Sequence, residues 1–205
     1  VPRTAALMKE YEKAGVTRMT FVDDEFGNED MVFLERLSDA LLAQGNRVKF
    51  DVAFRLDVIS ERKQKPEEQA YRLEVLRKLK RAGLYGIFVG LESGSPDQLK
   101  RYSKGISIEE ARKSLSVLID LGFEVTAGYI AYDPLMRKKE INQNMDFLES
   151  DIGGRPAYLI ASRFMNTLMV QQGTPYLRLM QSTGLIKGLQ SNMTFYDVDY
   201  VDPRV

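Results

Sequence analysis

The sequence predicts an α/β fold with parallel strands, arranged as a partial (β/α) barrel whose first βα unit is incomplete. Five short apolar runs, centred near residues 20, 50, 89, 127 and 160, recur through the 205-residue chain, and a helical pattern or a turn follows each one. This alternation favours parallel strands joined by right-handed crossovers. A complete eight-unit barrel needs about 250 residues, so the sequence predicts either an open sheet or a barrel with missing units.

The first half of the chain contains three predicted helices and two predicted strands. Each helix combines apolar residues at helical spacing with a glycine at its C-terminal end, where a left-handed residue is favoured. Each strand is a short run rich in β-branched and aromatic residues. Asn28 fits the N-cap of the second helix, and Pro66 fits the first turn of the third. The predicted order is helix 4–14, strand 18–22, helix 28–45, strand 48–54 and helix 66–83.

The second half of the chain continues the same alternation. Residues 87–91 form an uninterrupted apolar run, which is typical of a strand buried on both faces of a parallel sheet. Ser107 and Glu110 match a capping box at the start of a helix. From residue 184 onward the periodicity predicts no element, so we assign residues 1–180 to the barrel core and 181–205 to a C-terminal extension. The other predicted elements are helix 95–105, helix 107–122, strand 125–130, a helix around 141–148, strands 158–164 and 168–170, and helix 176–180.

The composition excludes several kinds of chemistry within these residues. The chain contains no Cys and no His, which removes disulfides, thiolate catalysis, a Cys-ligated metal centre and the commonest general base. Lys plus Arg equals Asp plus Glu at 29 each, so no overall basic field indicates a nucleic-acid or membrane partner. No apolar run reaches the ~20 residues needed to cross a bilayer, and we expect a cytoplasmic protein. Because the sequence starts at Val1 without Met, we expect a piece of a longer protein.

Polar side chains follow the predicted strands, where parallel strands bring them to one rim. A rim with both signs of charge suits a ligand that carries a carboxylate, an ammonium group and hydroxyls. A plainer alternative for Arg55 is a salt bridge with Asp23 or Asp57. Ser95 and Gly94 have plainer roles as a helix cap and as a relief of backbone strain. The candidate rim residues are Asp23, Asp24, Arg55, Glu92, Ser93, Asp133 and Arg163.

A phosphate site and a metal site are the other options at such a rim. The pattern Gly90-x-x-x-Gly94 matches neither the dinucleotide fingerprint nor the P-loop, so the sequence does not predict a nucleoside triphosphate site. Carboxylates can bind Mg²⁺ without any His, which leaves a carboxylate-metal enzyme as a lower-ranked hypothesis. Its ligands would be Asp23, Asp24, Glu92 and Asp133.

Five segments in a fixed order carry a family resemblance. They are FVDDEFG (21–27), VAFRLDVI (52–59), LRKLKRAGLYGIFVGLESGS (76–95), LKRYSKGIS (99–107) and LGFEVTAGYIAYDP (121–134). Together they resemble the radical S-adenosylmethionine superfamily, most closely the branch that includes methylthiotransferases and cobalamin-dependent radical enzymes. The resemblance extends over about residues 1–180.

That resemblance implies a partial (β/α)6 barrel with S-adenosylmethionine as a cofactor. It also implies a four-iron four-sulfur cluster on a CxxxCxxC loop after the first strand. This chain has neither that loop nor any Cys. We therefore expect the 4Fe-4S cluster only in the parent protein, and the resemblance allows cobalamin in an adjoining domain.

The resemblance also implies roles for residues by position. The Asp23–Asp24 pair falls in the loop that contacts the methionyl ammonium, and Arg55 matches a basic residue near the methionyl carboxylate. Glu92 and Ser93 match polar residues near the ribose and the methionyl group. The segment Gly128–Ile130 matches the strand near the adenine.

The leading hypothesis is the core of a radical S-adenosylmethionine enzyme, inactive as this chain alone because no residue can ligate the cluster. The alternative is a non-catalytic relative that keeps the barrel as a scaffold or binding module. The fold does not identify the substrate, small or macromolecular. Since a missing first strand leaves an open edge beside residues 18–22, we also expect self-association through that edge.

Overall fold

The computed structural model describes residues 1–59, 65–162 and 166–203 of the chain. The chain forms two compact units. Unit 1 comprises residues 1–90 and 109–127, and unit 2 comprises residues 91–108 and 128–205.

The helices in the described part of the chain are α1 (Pro2–Lys13), α2 (Met31–Ala43), α3 (Pro66–Arg81), α4 (Pro96–Arg101), α5 (Ile108–Asp120), α6 (Lys138–Glu149) and α7 (Pro175–Gln181). The strands are β1 (Arg18–Thr20), β2 (Lys49–Phe54), β3 (Leu84–Glu92), β4 (Glu124–Tyr129), β5 (Asp151–Ile152), β6 (Arg155–Pro156), β7 (Ala161–Ser162), β8 (Val170–Gln171), β9 (Ile186–Leu189) and β10 (Phe195–Val198). Among these described helices, none is both long enough and apolar enough to cross a membrane.

Five parallel strands form the principal sheet, in the order β1–β2–β3–β4–β7. β1 pairs in parallel with β2, and β2 pairs in parallel with β3. Each pair of neighbours in this order has at least one helix between them along the chain, as parallel strands require. The predicted α/β partial barrel is therefore confirmed.

The shortest strands differ most from their predictions. The strand predicted over 18–22 ends at Thr20, and Val22 is 92% exposed. In place of the strand predicted over 158–164, a 3₁₀ turn covers Ala157–Leu159 before β7. The rim candidate Arg163 lies outside the described residues. β1 stands at the edge of the sheet order, so self-association through that edge stays a prediction.

In unit 1, β2 separates a buried face from a more open one. Phe50, Val52 and Phe54 are buried, whereas the alternate residues Asp51 and Ala53 are more accessible. Sequential right-handed crossovers place the helices on one side of a parallel sheet, and their apolar stripes face it. The buried residues of α2 and α3 include Leu34, Leu37, Leu41, Val75, Leu76 and Leu79.

The open face of unit 1 carries a carboxylate that rests on a glycine. Asp51 accepts two hydrogen bonds from Arg18, at 3.2 Å from Nε and 3.0 Å from Nη2, and a longer one from Thr20 at 3.4 Å. Gly86 of β3 lies opposite Asp51 in the parallel ladder, after a register shift. A Cβ on Gly86 would lie 2.2 Å from Asp51 Oδ1, so only glycine leaves room for this carboxylate.

Unit 2 contains a small sheet and a small core near the C-terminus. β8, β10 and β9 form an antiparallel sheet in that order. Val170, Leu177 and Met180 form its buried centre. None of the side chains of β9 and β10 is fully buried, which explains why the sequence after residue 184 shows little apolar periodicity. The partly buried residues around this core are Leu135, Tyr176, Leu185, Ile186, Tyr196 and Val198.

We expect Gly86→Ala to lower the free energy of unfolding by about 1–3 kcal/mol, because the new Cβ overpacks against Asp51. Gly188→Ala is the matched control, since it also lies in a strand and its Cβ would meet nothing within 4 Å. Urea unfolding followed by circular dichroism measures both. In an Asp51→Ala background, Gly86→Ala should lower the free energy of unfolding much less. An equal cost in both backgrounds would contradict the packing argument.

Candidate functional site

Unit 2 places Glu92 at the carboxyl end of β3 in an unusual backbone conformation. Its φ is 71°, in the left-handed region that side-chain-bearing residues seldom adopt. The amide of Ile130 donates a hydrogen bond of 2.7 Å to the Glu92 carbonyl. Non-glycine residues in this conformation cluster at functional sites, where the surrounding structure must enforce them. This supports Glu92 as a site candidate.

The Glu92 carboxylate forms an ion pair with Lys104. The Lys104 Nζ lies 2.8 Å from Glu92 Oε1, and the two side chains are 32% and 22% exposed. Ser103, at φ 56°, ends α4 in a Schellman motif, in which the amide of Lys104 bonds to the carbonyl of Leu99 at 3.1 Å. This motif therefore fixes the backbone position of Lys104.

Ser93, another predicted ligand contact, is buried in protein. Its Oγ accepts a hydrogen bond from the Ser95 amide at 2.9 Å. It also lies 2.7 Å from Gln98 Oε1 and 2.9 Å from Asn144 Oδ1. Its one donor and one of its two acceptor sites are used inside the protein, and its role toward a ligand stays a prediction.

Behind Ser93, a buried polar network links β3, α4, β4 and α6. Asn144 Oδ1 accepts from the Gly94 amide at 2.8 Å and from the Tyr129 hydroxyl at 2.9 Å. Asn144 Nδ2 donates to Gln98 Oε1 at 2.9 Å. Gln98 Nε2 donates to the Tyr102 hydroxyl at 2.8 Å. Buried polar groups are costly unless paired, so this network is a strong constraint on the strand ends.

The network ends at Asp133, which is fully buried. Asp133 accepts from Tyr102 at 2.9 Å, from Arg101 Nε at 2.9 Å and from Tyr176 over a short contact. Arg101 also donates to Glu140 at 2.7 Å. Asp133 was a candidate for the ligand rim, and the structure instead surrounds it with protein donors.

These contacts change the acidity of the groups around Asp133. Burial, and next the Asp133 carboxylate, raise the pKa of Tyr102 and of Tyr176 well above the ordinary value for tyrosine. Burial alone would lower the pKa of Arg101, but Asp133 and Glu140 outweigh it and raise that pKa. Both tyrosines therefore stay protonated and act as hydrogen-bond donors, while Arg101 stays cationic.

The other predicted contacts lie in unit 1 or in β4. Asp23 and Asp24 are exposed in the loop after β1. Arg55 forms a bidentate ion pair with Asp57, with both distances 3.0 Å, and approaches Glu25 at 3.5 Å. The salt bridge raised as the plainer alternative for Arg55 is thus present. The roles that the resemblance implies for these three residues stay predictions.

Gly128 lies near the end of β4, in unit 2. It is partly accessible, whereas the next residue, Tyr129, is buried. An accessible glycine at a strand end lets a ligand approach the backbone closely. Its role near an adenine also stays a prediction.

In residues 1–59, 65–162 and 166–203 no group of three or more acidic residues is arranged to hold a metal ion. The buried carboxylate of Asp133 is already satisfied by Arg101, Tyr102, Tyr176 and the amide of Leu135 at 2.7 Å. The hypothesis of a carboxylate-metal enzyme therefore has no geometric support in this part of the chain.

The sequence interpretation missed Asn144 and Gln98. It predicted a helix around residues 141–148 from its apolar residues, but Met145 is 50% exposed in α6, and Asn144 is buried beside Phe147. Glu140 and Asn144 stand one turn apart beside the apolar Phe147–Leu148 pair. A polar pair at that spacing was a signal that could have drawn attention to Asn144, although not to its partners.

Sequence comparison finds a curated relative. 4'-Phospho-dehydrooxetanocin synthase from Priestia megaterium is 32% identical over 179 residues, which is 72% of this chain and 24% of that protein. No protein-family model matches the sequence. This chain therefore corresponds to about a quarter of the relative's length.

Comparison with solved structures finds similar folds. The cobalamin-dependent S-adenosylmethionine radical enzyme OxsB, solved with aqua-cobalamin and S-adenosylmethionine bound, superimposes with a TM-score of 0.88 and 29% identity over 97% of this chain and 34% of that one. The archaeal Elp3 of Methanocaldococcus infernus shares the fold, with a TM-score of 0.56 and 16% identity over 88% of this chain and 44% of that one. The resemblance to the radical S-adenosylmethionine superfamily is confirmed.

The backbone of Glu92 gives a direct test. Glu92→Gly and Glu92→Ala both delete the ion pair with Lys104, but only glycine accepts a φ of 71° without strain. We expect Glu92→Gly to be the more stable variant by about 1 kcal/mol in urea unfolding. At the exposed Glu10 within α1, the order should reverse, because glycine is the poorer helix former. A more stable Glu92→Ala would show that the position is not strained.

Proposed function

We propose that this chain, a relative of the cobalamin-dependent radical S-adenosylmethionine enzymes, supplies the S-adenosylmethionine-binding part of such an enzyme. Its resemblance over 97% of its length to an enzyme of that class supports the general assignment. The observation that carries the binding site is the partly exposed ion pair between Glu92 and Lys104 at the strand ends of unit 2.

This ion pair matches the charges of the proposed ligand. The methionyl end of S-adenosylmethionine carries a carboxylate and an ammonium group, and its ribose carries hydroxyls. Glu92 can accept hydrogen bonds from the ammonium group or the hydroxyls, and Lys104 can bind the carboxylate. Each side chain exchanges one charged partner for another, so binding leaves neither charge unpaired.

The residues of this chain do not fit an iron-sulfur cluster. Such clusters are held mainly by Cys thiolates, and the chain contains no Cys. In this superfamily S-adenosylmethionine supplies radical chemistry after reductive cleavage at the cluster. We therefore propose that these 205 residues bind and orient the cofactor but do not cleave it by themselves.

The backbone of unit 2 performs the orienting. Glu92 is tied through its carbonyl to Ile130, and Gly94 is tied through its amide to Asn144. These bonds hold the Glu92 carboxylate at the strand end before any ligand arrives. Preorganised groups bind with a smaller loss of conformational freedom.

A scaffold without catalysis is the second candidate, and the burial of the predicted contacts Ser93 and Asp133 among protein partners favours it. It differs from the first in what S-adenosylmethionine does. A scaffold need not bind the cofactor at all, whereas the cofactor-binding part of an enzyme must retain the site.

Isothermal titration calorimetry of the 205-residue chain with S-adenosylmethionine tests the proposal. We expect Glu92→Ala and Lys104→Met each to weaken binding about tenfold or more, which is the usual effect of losing a hydrogen bond to a charged group. Lys100→Met is the control, because Lys100 is an exposed lysine in the last turn of α4. Arg55→Ala tests the carboxylate contact that the sequence resemblance implies.

The outcomes separate the candidates. Absence of binding by the unmodified chain would contradict the proposal and favour the scaffold. Binding that survives both Glu92→Ala and Lys104→Met would place the cofactor elsewhere. Loss of affinity in Lys104→Met but not in Arg55→Ala would assign the carboxylate to Lys104.

A further inference from the structure

The hydrogen bonds of Asn144 and Gln98 near Glu92 allow only one assignment of donors and acceptors. An amide N–H can only donate, so the Gly94 amide fixes Oδ1 of Asn144 toward β3. The Nδ2 of Asn144 must then face Gln98, which receives it on Oε1 at 2.9 Å. Gln98 Nε2 in turn faces two acceptors, the Ile130 carbonyl at 3.2 Å and the Tyr102 hydroxyl at 2.8 Å.

Both strand ends are therefore tied to the same two amide side chains. Asn144 accepts from Gly94, two residues after Glu92, and from Tyr129 at the end of β4. Gln98 donates to Ile130, whose own amide bonds to the Glu92 carbonyl at 2.7 Å. Replacing either amide side chain therefore removes a hydrogen bond that supports the backbone next to Glu92.

The packing around Gly94 leaves little room for adjustment. A Cβ on Gly94 would lie 2.3 Å from the Cβ of Phe147, so the loop after β3 rests directly on α6. Asn144 and Gln98 are themselves buried, at 3% and 0% exposure. Neither can reach a ligand in this arrangement, so any effect on binding must pass through Glu92 and its neighbours.

We propose that Asn144 and Gln98 are positioning residues that hold Glu92 in its left-handed conformation and aim its carboxylate at the cofactor. This inference depends on the proposed function, since it names the residues that prepare the same site. The Glu92 backbone is held between the Ile130 bond on one side and the Gly94 bond on the other. Without Asn144, the Gly94 amide loses its shortest acceptor, and Glu92 is free to relax toward an ordinary φ.

The test compares S-adenosylmethionine affinity and unfolding free energy across a set of variants of the full chain. Asn144→Ala removes the acceptor and should weaken binding at least tenfold. Asn144→Asp keeps the acceptor for Gly94 but replaces the amide that donates to Gln98 with a carboxylate oxygen, so it should also weaken binding. Asn142→Ala is the control, because Asn142 is exposed on the same helix.

A purely structural role would affect stability without this pattern of affinity. Leu177→Ala provides the comparison, since it removes a buried side chain of the small C-terminal core and leaves the polar network intact. We expect it to destabilise the chain with no more than a threefold change in affinity. If Asn144→Ala does not fold, Tyr129→Phe removes the hydroxyl that donates to Asn144 and accepts from the Gly94 amide, and it should weaken binding about fivefold, more than Leu177→Ala does.

Each outcome has a distinct meaning. If the unmodified chain binds S-adenosylmethionine and Asn144→Ala binds equally well, only the positioning role is overturned. Asn144→Asp binding as tightly as the unmodified chain would overturn the role of the bond from Asn144 to Gln98. If the unmodified chain does not bind, the proposed function fails, and the positioning role fails with it.

Discussion

The pairing of buried polar groups in unit 2 is the constraint on which the candidate site depends. Asn144, Gln98 and Asp133 are removed from water, and each is satisfied by side chains or backbone from other elements. An unpaired buried polar group typically costs about 1–3 kcal/mol, so these partners cannot separate independently. The ends of β3 and β4 are therefore held by polar groups that bond to one another inside the protein.

The ion pairs of the two units differ in their surroundings. In unit 1, Asp51 lies over Gly86 and is held by Arg18, and Tyr85 donates to Glu124. These groups satisfy one another on the strand surface. At the strand end in unit 2, the pair of Glu92 and Lys104 is joined to a strained backbone. The strain distinguishes the second pair from an ordinary surface ion pair, which contributes little to stability.

The sequence predicted the elements that its local periodicity encodes, and the family motifs pointed to Glu92 at the end of β3. It could not predict Asn144, because that side chain acts on Gly94 across 50 positions, and nothing in the local pattern of α6 names its partner. The salt bridge of Arg55 with Asp57 was foreseen because the two residues are adjacent on one turn. The final strands were missed because none of their side chains is fully buried, so the packing of Ile186, Tyr196 and Val198 against the small core leaves only a weak apolar period.

We propose that a preorganised strand end in unit 2 binds S-adenosylmethionine. The most direct test is an NMR titration of the ¹⁵N-labelled chain with S-adenosylmethionine, following the backbone amides. We predict that the largest shifts fall on residues 92–95 and 128–130, with smaller ones near Lys104. Shifts confined to the Arg18 and Asp51 surface, or no shifts at a saturating concentration, would contradict the account.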